Sequence, residues 1–392
     1  MPEFEFWWLI AFPVFFGLGW LAARIDIKQL VTESRRVPRS YFTGLNFLLN
    51  EQPDKAIEAF TEVVRVDPET IELHFALGSL FRRRGETERA IRMHKNLLER
   101  SDLAQEQRLT ALHELGQDYL KAGLLDRAEE AFERLAKGPY RSTALKNLLD
   151  IYQQEKEWEK AIGAAREFER DSGQSWQKEI ANFYCELASV EINHSRTDRA
   201  REYLEESLRA SRKCVRASIL LGDIEAAEGN HEAAIEAWKR VETQNPTYLA
   251  LVAQRLLKSF QAIEQTEHGL TLLRGYLAEH PSLDLLDVVF QLSIDARGAQ
   301  AAYELVRDEL RRNPTLLGLD RLLEAQLLTA SAERRPDLEM VRGLVHSHTR
   351  KLSRYRCESC GFRARQFYWQ CPACAGWETY PPRRTEEFEV AQ

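Results

Sequence analysis

The chain has 392 residues, 44% of them hydrophobic and 29% charged, with a formal net charge of −7. That length has room for two or three domains, and the balance is globular rather than disordered. A net acidic chain argues against a generic nucleic-acid binder, so no nucleic-acid partner is expected.

The first feature along the chain is apolar. From Phe6 to Ala23 eighteen residues carry no charge. A helix of that length rises about 27 Å, close to a thin hydrocarbon core. Trp7, Trp8 and Trp20 lie near its ends, as interfacial anchors do. Pro13, Gly17 and Gly19 suit lipid better than a soluble helix. A cleaved signal peptide needs a basic leader, whereas the residues before Phe6 carry Glu3 and Glu5 and no Lys or Arg. Residues 1–23 therefore read as an uncleaved transmembrane anchor that meets the membrane through residues 6–23. The segment 24–36 is basic, with Arg24, Lys28, Arg35 and Arg36, and Arg39 follows. Positive flanks stay in the cytoplasm, so the chain is expected to cross once and keep its bulk there.

Residues 37–349 repeat with a period near 34. The units align on a Gly-x-x-aromatic step, then Ala, then a large residue, then Pro. The first copy has Gly44, Phe47, Ala56, Phe60 and Pro68, and the second Gly78, Phe81, Ala90 and Leu97. The third is the cleanest, with Gly116, Tyr119, Ala128, Phe132 and Leu135. Further copies run through Tyr152 and Ala161, Ala188 and Ala200, Gly222 and Trp238, Phe260 and Gly269, and Phe290 and Ala302, before a degenerate last pair from Leu316. Small residues let antiparallel helices approach, large ones fill the gap to the next pair, and Pro ends the second helix. This pattern resembles the tetratricopeptide repeat. It implies an all-α superhelix of about nine helix pairs with a binding groove lined by the first helix of each pair. Arg82, Arg83, Gln117 and Lys121 fall on that lining and are candidate contacts for an extended or helical protein segment. No phosphate loop, nucleophile elbow or carboxylate pair is present. His94, His113, His194 and His231 stand singly in surface or packing positions, and an enzyme is not expected. Cys185 and Cys214 fall in helical patterns as ordinary buried thiols.

The most specific signal is at the other end. Cys357, Cys360, Cys371 and Cys374 form two C-x-x-C knuckles within eighteen residues. Two residues between thiols let a turn aim both sulfurs at one ion, and two turns complete an S4 shell for zinc or for a single iron. With all four positions filled by protein, metal hydrolysis is not expected and a structural cross-link is, with electron transfer and metal sensing as the other readings. A module of residues 350–384 is too small to fold on apolar burial alone. Tyr355, Phe362, Phe367, Tyr368, Trp369 and Trp377 are assigned to its small core. The module holds eight basic residues against two acidic ones, a local balance of about +6. That excess suits docking on acidic repeat surface, leaning on anionic lipid, or gripping nucleic acid as a zinc ribbon does. The first is favoured, because the array leads into the module without a flexible linker: Ser331 to Pro336 reads as a loop and Met340 to Arg350 as helix. Residues 385–392 read as a frayed acidic tail.

One anchor, about nine repeat units and a rubredoxin-like knuckle, in that order, resemble the lipopolysaccharide assembly protein B family of Gram-negative bacteria. The resemblance also rests on Asn46 to Leu49, Gly78 to Gly85, Glu106 to Arg108, Phe183 to Ala188, Tyr355 to Phe362 and Tyr368 to Cys374. It implies an inner-membrane adaptor that regulates lipopolysaccharide synthesis. Such an adaptor presents the lipid A deacetylase to a membrane-bound ATP-dependent protease and gathers assembly proteins. It carries over Cys357, Cys360, Cys371 and Cys374 as metal ligands, iron by the rubredoxin likeness and zinc as the alternative. One departure is that Gly376 follows Cys374 by two positions rather than one. A rubredoxin-like electron carrier on a repeat scaffold and a nucleic-acid-binding zinc ribbon are the competing functions.

Overall fold

The computed structural model describes residues 13–20, 39–50, 52–66, 71–349 and 354–386. The expected anchor lies largely outside these. Within it, 13–20 form a helix, α1, whose Phe15 and Phe16 are 73% and 78% exposed. Among the described residues no helix is long and apolar enough to cross a membrane. The basic segment 24–36 lies wholly outside the described residues.

From Arg39 to Thr349 the chain is a run of antiparallel helix pairs, in two compact units that divide between Ile151 and Tyr152. The first unit holds α2 (Arg39–Leu49) with α3 (Pro53–Val66), α4 (Ile71–Arg83) with α5 (Thr87–Glu99), and α6 (Gln105–Ala122) with α7 (Leu125–Leu135). Helix α8 (Arg141–Glu155) spans the division. The second unit continues with α9 (Trp158–Ser172), α10 (Gln177–Asn193), α11 (Thr197–Ala210), α12 (Val215–Ala227) and α13 (His231–Gln244). After a 3-10 turn (Pro246–Tyr248) come α14 (Leu249–Ala262), α15 (Thr266–Glu279), α16 (Leu283–Arg297), α17 (Ala299–Arg312), α18 (Leu316–Thr329) and α19 (Arg335–Thr349). Strands β1 (Tyr355–Arg356) and β2 (Arg363–Ala364) pair antiparallel in the terminal module, with Tyr355 opposite Ala364.

In four pairs a glycine of the first helix sits under a large residue sixteen positions later on the second. A Cβ added to Gly116 would lie 2.8 Å from the Phe132 ring, and one added to Gly222 would lie 2.3 Å from Trp238. Gly44 meets Phe60 in the same way. At Gly78 the partner is His94, the polar member of the series. Ala56, Ala90, Ala128, Ala161, Ala200, Ala234 and Ala302, the small positions of the second helices, are all fully buried.

The turn inside a pair also repeats. Gly85, Gly123 and Gly229 take φ of 81°, 73° and 84°. The next amide donates back across the turn, as Glu86 N does to Phe81 O at 2.9 Å. In three pairs a residue with a Cβ holds this left-handed position: Lys156, Ser195 and Glu264, at φ of 59°, 59° and 58°. The same back-bond closes there, with Glu157 N donating to Tyr152 O and Arg196 N to Glu191 O, both at 2.9 Å.

Two boundaries differ from expectation. Helix α19 starts at Arg335, inside the expected loop, because Pro336 fits a first helical turn where its missing N–H costs nothing. Thr385 and Glu386 are buried rather than frayed, and residues 387–392 lie outside the described residues.

Candidate metal centre

Each C-x-x-C pair closes a short knuckle of the same design. Gly361 N donates to Cys357 O at 3.0 Å, and Ala375 N to Cys371 O at 2.8 Å. The residue after each second cysteine is left-handed: Gly361 at φ 76° and Ala375 at φ 55°. The displaced glycine noted in the sequence is thereby explained. Alanine takes the strained position, and Gly376 is needed for space, since a Cβ there would come within 2.9 Å of Thr379.

The knuckles bring all four sulfurs within 4.8 Å of one another. Cys357 Sγ lies 3.8 Å from Cys374 Sγ, and Cys360 Sγ 3.7 Å from Cys371 Sγ. A tetrahedron with metal–sulfur bonds of about 2.3 Å has edges of about 3.8 Å, so the residues fit a four-thiolate ion. Cys357 and Cys371 are buried and Cys360 and Cys374 exposed. Burial opposes ionisation of Cys357. The hydrogen bond with Thr379 and those from the Cys360 and Ser359 amides outweigh it and bring the thiol down to about 6. Burial pushes Cys371 up to about 12. The donor set suits zinc or iron and leaves no open position.

Tyr355, Phe362, Phe367 and Tyr368 pack with buried Tyr380 as the module's small core, as expected. Trp369 and Trp377 depart from that expectation by packing on the helix pairs of the second unit. Trp369 stacks on Tyr248 with centroids 5.4 Å apart and planes 1° from parallel. Trp377 sits edge-on to Trp158 at 6.1 Å and to Phe183 at 5.9 Å, and its Nε1 donates to Gln153 Oε1 at 3.1 Å. Arg216, buried and paired to Glu186 at 2.7 Å, holds its guanidinium over both indoles, 5.8 and 5.9 Å from the ring centroids. Asn182 Nδ2 donates to Glu378 Oε1 at 2.8 Å, while burial pushes the Glu378 carboxyl up.

Polar contacts extend the seat toward α16 and α18. Tyr355 Oη donates to Asp284 Oδ2 at 2.5 Å. Arg384 pairs with Asp284 at 2.7 Å and lies over the Tyr355 ring at 4.1 Å. The Glu386 carboxylate accepts from the amides of Leu316 and Leu317, capping the N-terminus of α18 as an anion should. The docking reading of the basic module thus holds within the second unit, with Arg384 as its cation and the two tryptophans as its anchors. Gln153, Asn182, Phe183, Arg216 and Asp284 all belong to first helices, which are the expected groove lining.

The four expected partner contacts fall in the first unit. Arg83 and Lys121 are exposed. Gln117 Nε2 donates to Asn147 at 3.0 Å. Arg82 is spent inside the array: it pairs with Glu114 at 2.6 Å and with fully buried Asp118 at 2.7 Å. Burial opposes the Arg82 charge, but these two carboxylates outweigh it and hold the guanidinium above its ordinary range. Asp118 also receives His94 Nδ1 at 2.5 Å. A signal for His94 was available, because it stands four residues after Ala90 where Phe60 follows Ala56 and Phe132 follows Ala128. Cys185 and Cys214 are buried as expected, with sulfurs 3.8 Å apart.

Comparison with known proteins agrees with this anatomy. A family model described as a rubredoxin metal binding domain matches residues 355–382. A tetratricopeptide repeat model matches residues 43–93, 113–175 and 185–248. The chain is 37% identical over 376 residues to lipopolysaccharide assembly protein B of Escherichia coli strain K12, covering 95% of this chain and 96% of that protein. It is 31% identical over 388 residues to the protein of that name in Haemophilus influenzae, covering 96% and 97%. Among solved structures, the crystal structure of MamA protein aligns over 44% of this chain and 91% of its own at 20% identity, with a TM-score of 0.34 too low to carry weight.

Proposed function

Because the chain belongs to the lipopolysaccharide assembly protein B family, we propose that it is a membrane-tethered adaptor that regulates lipopolysaccharide synthesis. In this reading it presents the lipid A deacetylase to a membrane-bound ATP-dependent protease and gathers assembly proteins beside them. The observation that carries the proposal is the seating of a closed four-thiolate module on first helices of the second unit. An ion there supplies a cross-link, since four thiolates leave no position for substrate. The module's aromatic side chains are spent on its own core and, at Trp369 and Trp377, on the array, rather than on a cleft. What remains is a shaped protein surface, and repeat arrays bind protein segments on such surfaces.

Residues 6–23 serve in this reading as a single-pass anchor in a bacterial inner membrane, with the rest of the chain cytoplasmic. The uncharged run and the basic residues after it support the topology. Unpaired knuckle cysteines suit a reducing compartment. A tether raises the effective concentration of weak partners at the bilayer. The test is photo-crosslinking in cells from Arg83 and Lys121. Capture of the deacetylase and the protease is the expected result, and capture of neither would end the adaptor reading. A chain starting at Arg24 is expected to fold and to complement poorly; full complementation would remove the anchor from the mechanism.

A further inference from the structure

Helices α15 and α17 are the second helices of consecutive pairs in the second unit, and a cleft of about 390 Å³ lies between them. Its lining takes Arg274 from α15, Arg297 from the end of α16 and Arg312 from the end of α17, with Leu277 and Leu305 as apolar wall. The three arginines are not alike. Arg297 pairs with Glu267 at 2.6 Å. Arg312 is exposed, and among the described residues no carboxylate pairs with it. Arg274 is half-buried, and among the described residues it too pairs with no carboxylate. Its Nη2 donates to Ser293 Oγ at a long 3.4 Å, and its Nε is buried with no partner. Other arginines withdrawn from solvent in this unit do sit on an acid: Arg216 on Glu186 at 2.7 Å, Arg321 on Asp287 at 2.6 Å and Arg384 on Asp284 at 2.7 Å.

The acids that line the cleft do not supply the missing charge. Glu304 accepts from Gln300 at 3.0 Å, Asp308 pairs with Arg307 at 3.3 Å, and Glu309 accepts from Asn313 at 2.7 Å. Each is turned to a neighbour on α17 or at its C-cap. Burial, and then the Arg297 charge, push the Arg274 guanidinium below its ordinary range, although Glu267 acts the other way. Charges withdrawn from water in proteins are normally paired, so a guanidinium left this way calls for an anion.

We propose that this cleft binds a small organic acid, one carboxylate on an apolar body, with Arg274 taking the carboxylate and Arg312 reinforcing it from the rim. A carboxylate is planar, accepts two parallel N–H bonds from a guanidinium fork, and carries the single negative charge that Arg274 lacks. A phosphate dianion would bring twice the charge against Glu304, Asp308 and Glu309. Leu277 and Leu305 give the apolar body a surface, and the volume lies in the range of small-molecule sites. The bound acid touches α15 and α17 and so ties one helix pair to the next.

The experiment is equilibrium dialysis of labelled benzoate against the full chain with its four-cysteine site loaded with zinc. Saturable binding is expected, and benzyl alcohol, a similar body without the charge, should compete at least about tenfold more weakly, the scale of a hydrogen bond to a charged group. Arg274→Met keeps an apolar side chain and loses the fork, so benzoate affinity should fall at least about tenfold. Its circular dichroism and thermal midpoint should not fall, because the lost charge had no acidic partner. Arg312→Ala, at an exposed position, should weaken binding about two- to fivefold. No saturable benzoate binding, or equal affinity in Arg274→Met, would overturn the site. Benzyl alcohol competing as well as benzoate would overturn the part given to the carboxylate. Inorganic phosphate competing as well would replace the organic acid with a general anion.

Discussion

The two units stack the same helix pairs but satisfy their first helices in different ways. In the unit from Tyr152 on, those helices receive the chain's own metal module, through Gln153, Asn182, Phe183, Arg216 and Asp284. In the unit up to Ile151, first helices are tied to one another by Arg82, Glu114 and Asp118 and by Gln117 and Asn147, leaving Arg83 and Lys121 in solvent. One repeat design therefore yields a surface completed within the chain and a surface whose solvent-facing cations remain available. The sequence marks this division only faintly, because the helix pattern that sets the fold is common to both.

The largest expected effect breaks the seated side. Replacing Cys371 and Cys374 with Ser removes half of the thiolate shell. Binding energy in small thiolate modules is folding energy, on the order of 10 kcal/mol. Residues 354–386 should become protease-sensitive and Trp369 and Trp377 should gain solvent, both visible in limited proteolysis and tryptophan fluorescence. The His94–Asp118 network contains no module residue and should keep its protection from hydrogen exchange. A module that stays resistant without metal would show that the seat, not the ion, holds it folded.

Next come single side chains, one on each side. Trp377→Ala opens a cavity between Trp158 and Phe183 and removes the indole hydrogen bond to Gln153, a loss of about 3–5 kcal/mol in the second unit. Arg82→Met strands the buried Asp118 carboxylate with His94 alone, a loss of about 3 kcal/mol in the first unit. Arg83→Glu, one residue away and exposed, should leave stability within about 0.5 kcal/mol. Denaturant melts of the three variants check the ordering. Partner capture is best tested at Arg83 and Lys121, because a charge reversal at Arg82 reports on folding before it reports on binding.

Legibility followed periodicity and spacing. The pairs were readable because Gly116 must lie under Phe132 and Ala128 must be small, and those demands recur down the chain. The metal centre was readable because two residues between thiols are a geometric requirement. The seat was not, since nothing local separates Trp377, which packs on the array, from Phe362, which packs inside the module. Glu386 gave no signal either: its partners are amides seventy and sixty-nine residues earlier, and an acid near a terminus reads as solvated. His94 was read as a surface or packing residue without its core role being singled out, as a polar residue at an aromatic position does not look like a core residue until Asp118 is placed beside it.

A smaller effect tests the buried acid in the seat. Burial raises the Glu378 carboxyl above its ordinary value. The sign follows from which state holds the proton. The folded form binds it more tightly than the unfolded form, so this contribution to stability is fully present below the unfolded pKa and is lost as pH rises through the folded one. Glu378→Gln, which keeps an oxygen for Asn182, should flatten that decline in the second unit. A wild-type pH profile that rises across the same window, with no difference in the variant, would remove Glu378 as its source.

The smallest expected effect concerns the turn that both units share. Lys156 and Ser195 hold at φ 59° a position that Gly85, Gly123 and Gly229 fill in other pairs. A Cβ in the left-handed region costs about 1–2 kcal/mol, because it crowds the following carbonyl. Glycine removes that cost but gives back about 0.4–1 kcal/mol through a freer unfolded chain. Lys156→Gly and Ser195→Gly should therefore each stabilise by under about 1 kcal/mol, and the two should add, being in separate turns. A loss on either substitution would mean that the side chain itself stabilises the fold, and would locate the difference between repeats in their surface contacts rather than in the geometry of the turn.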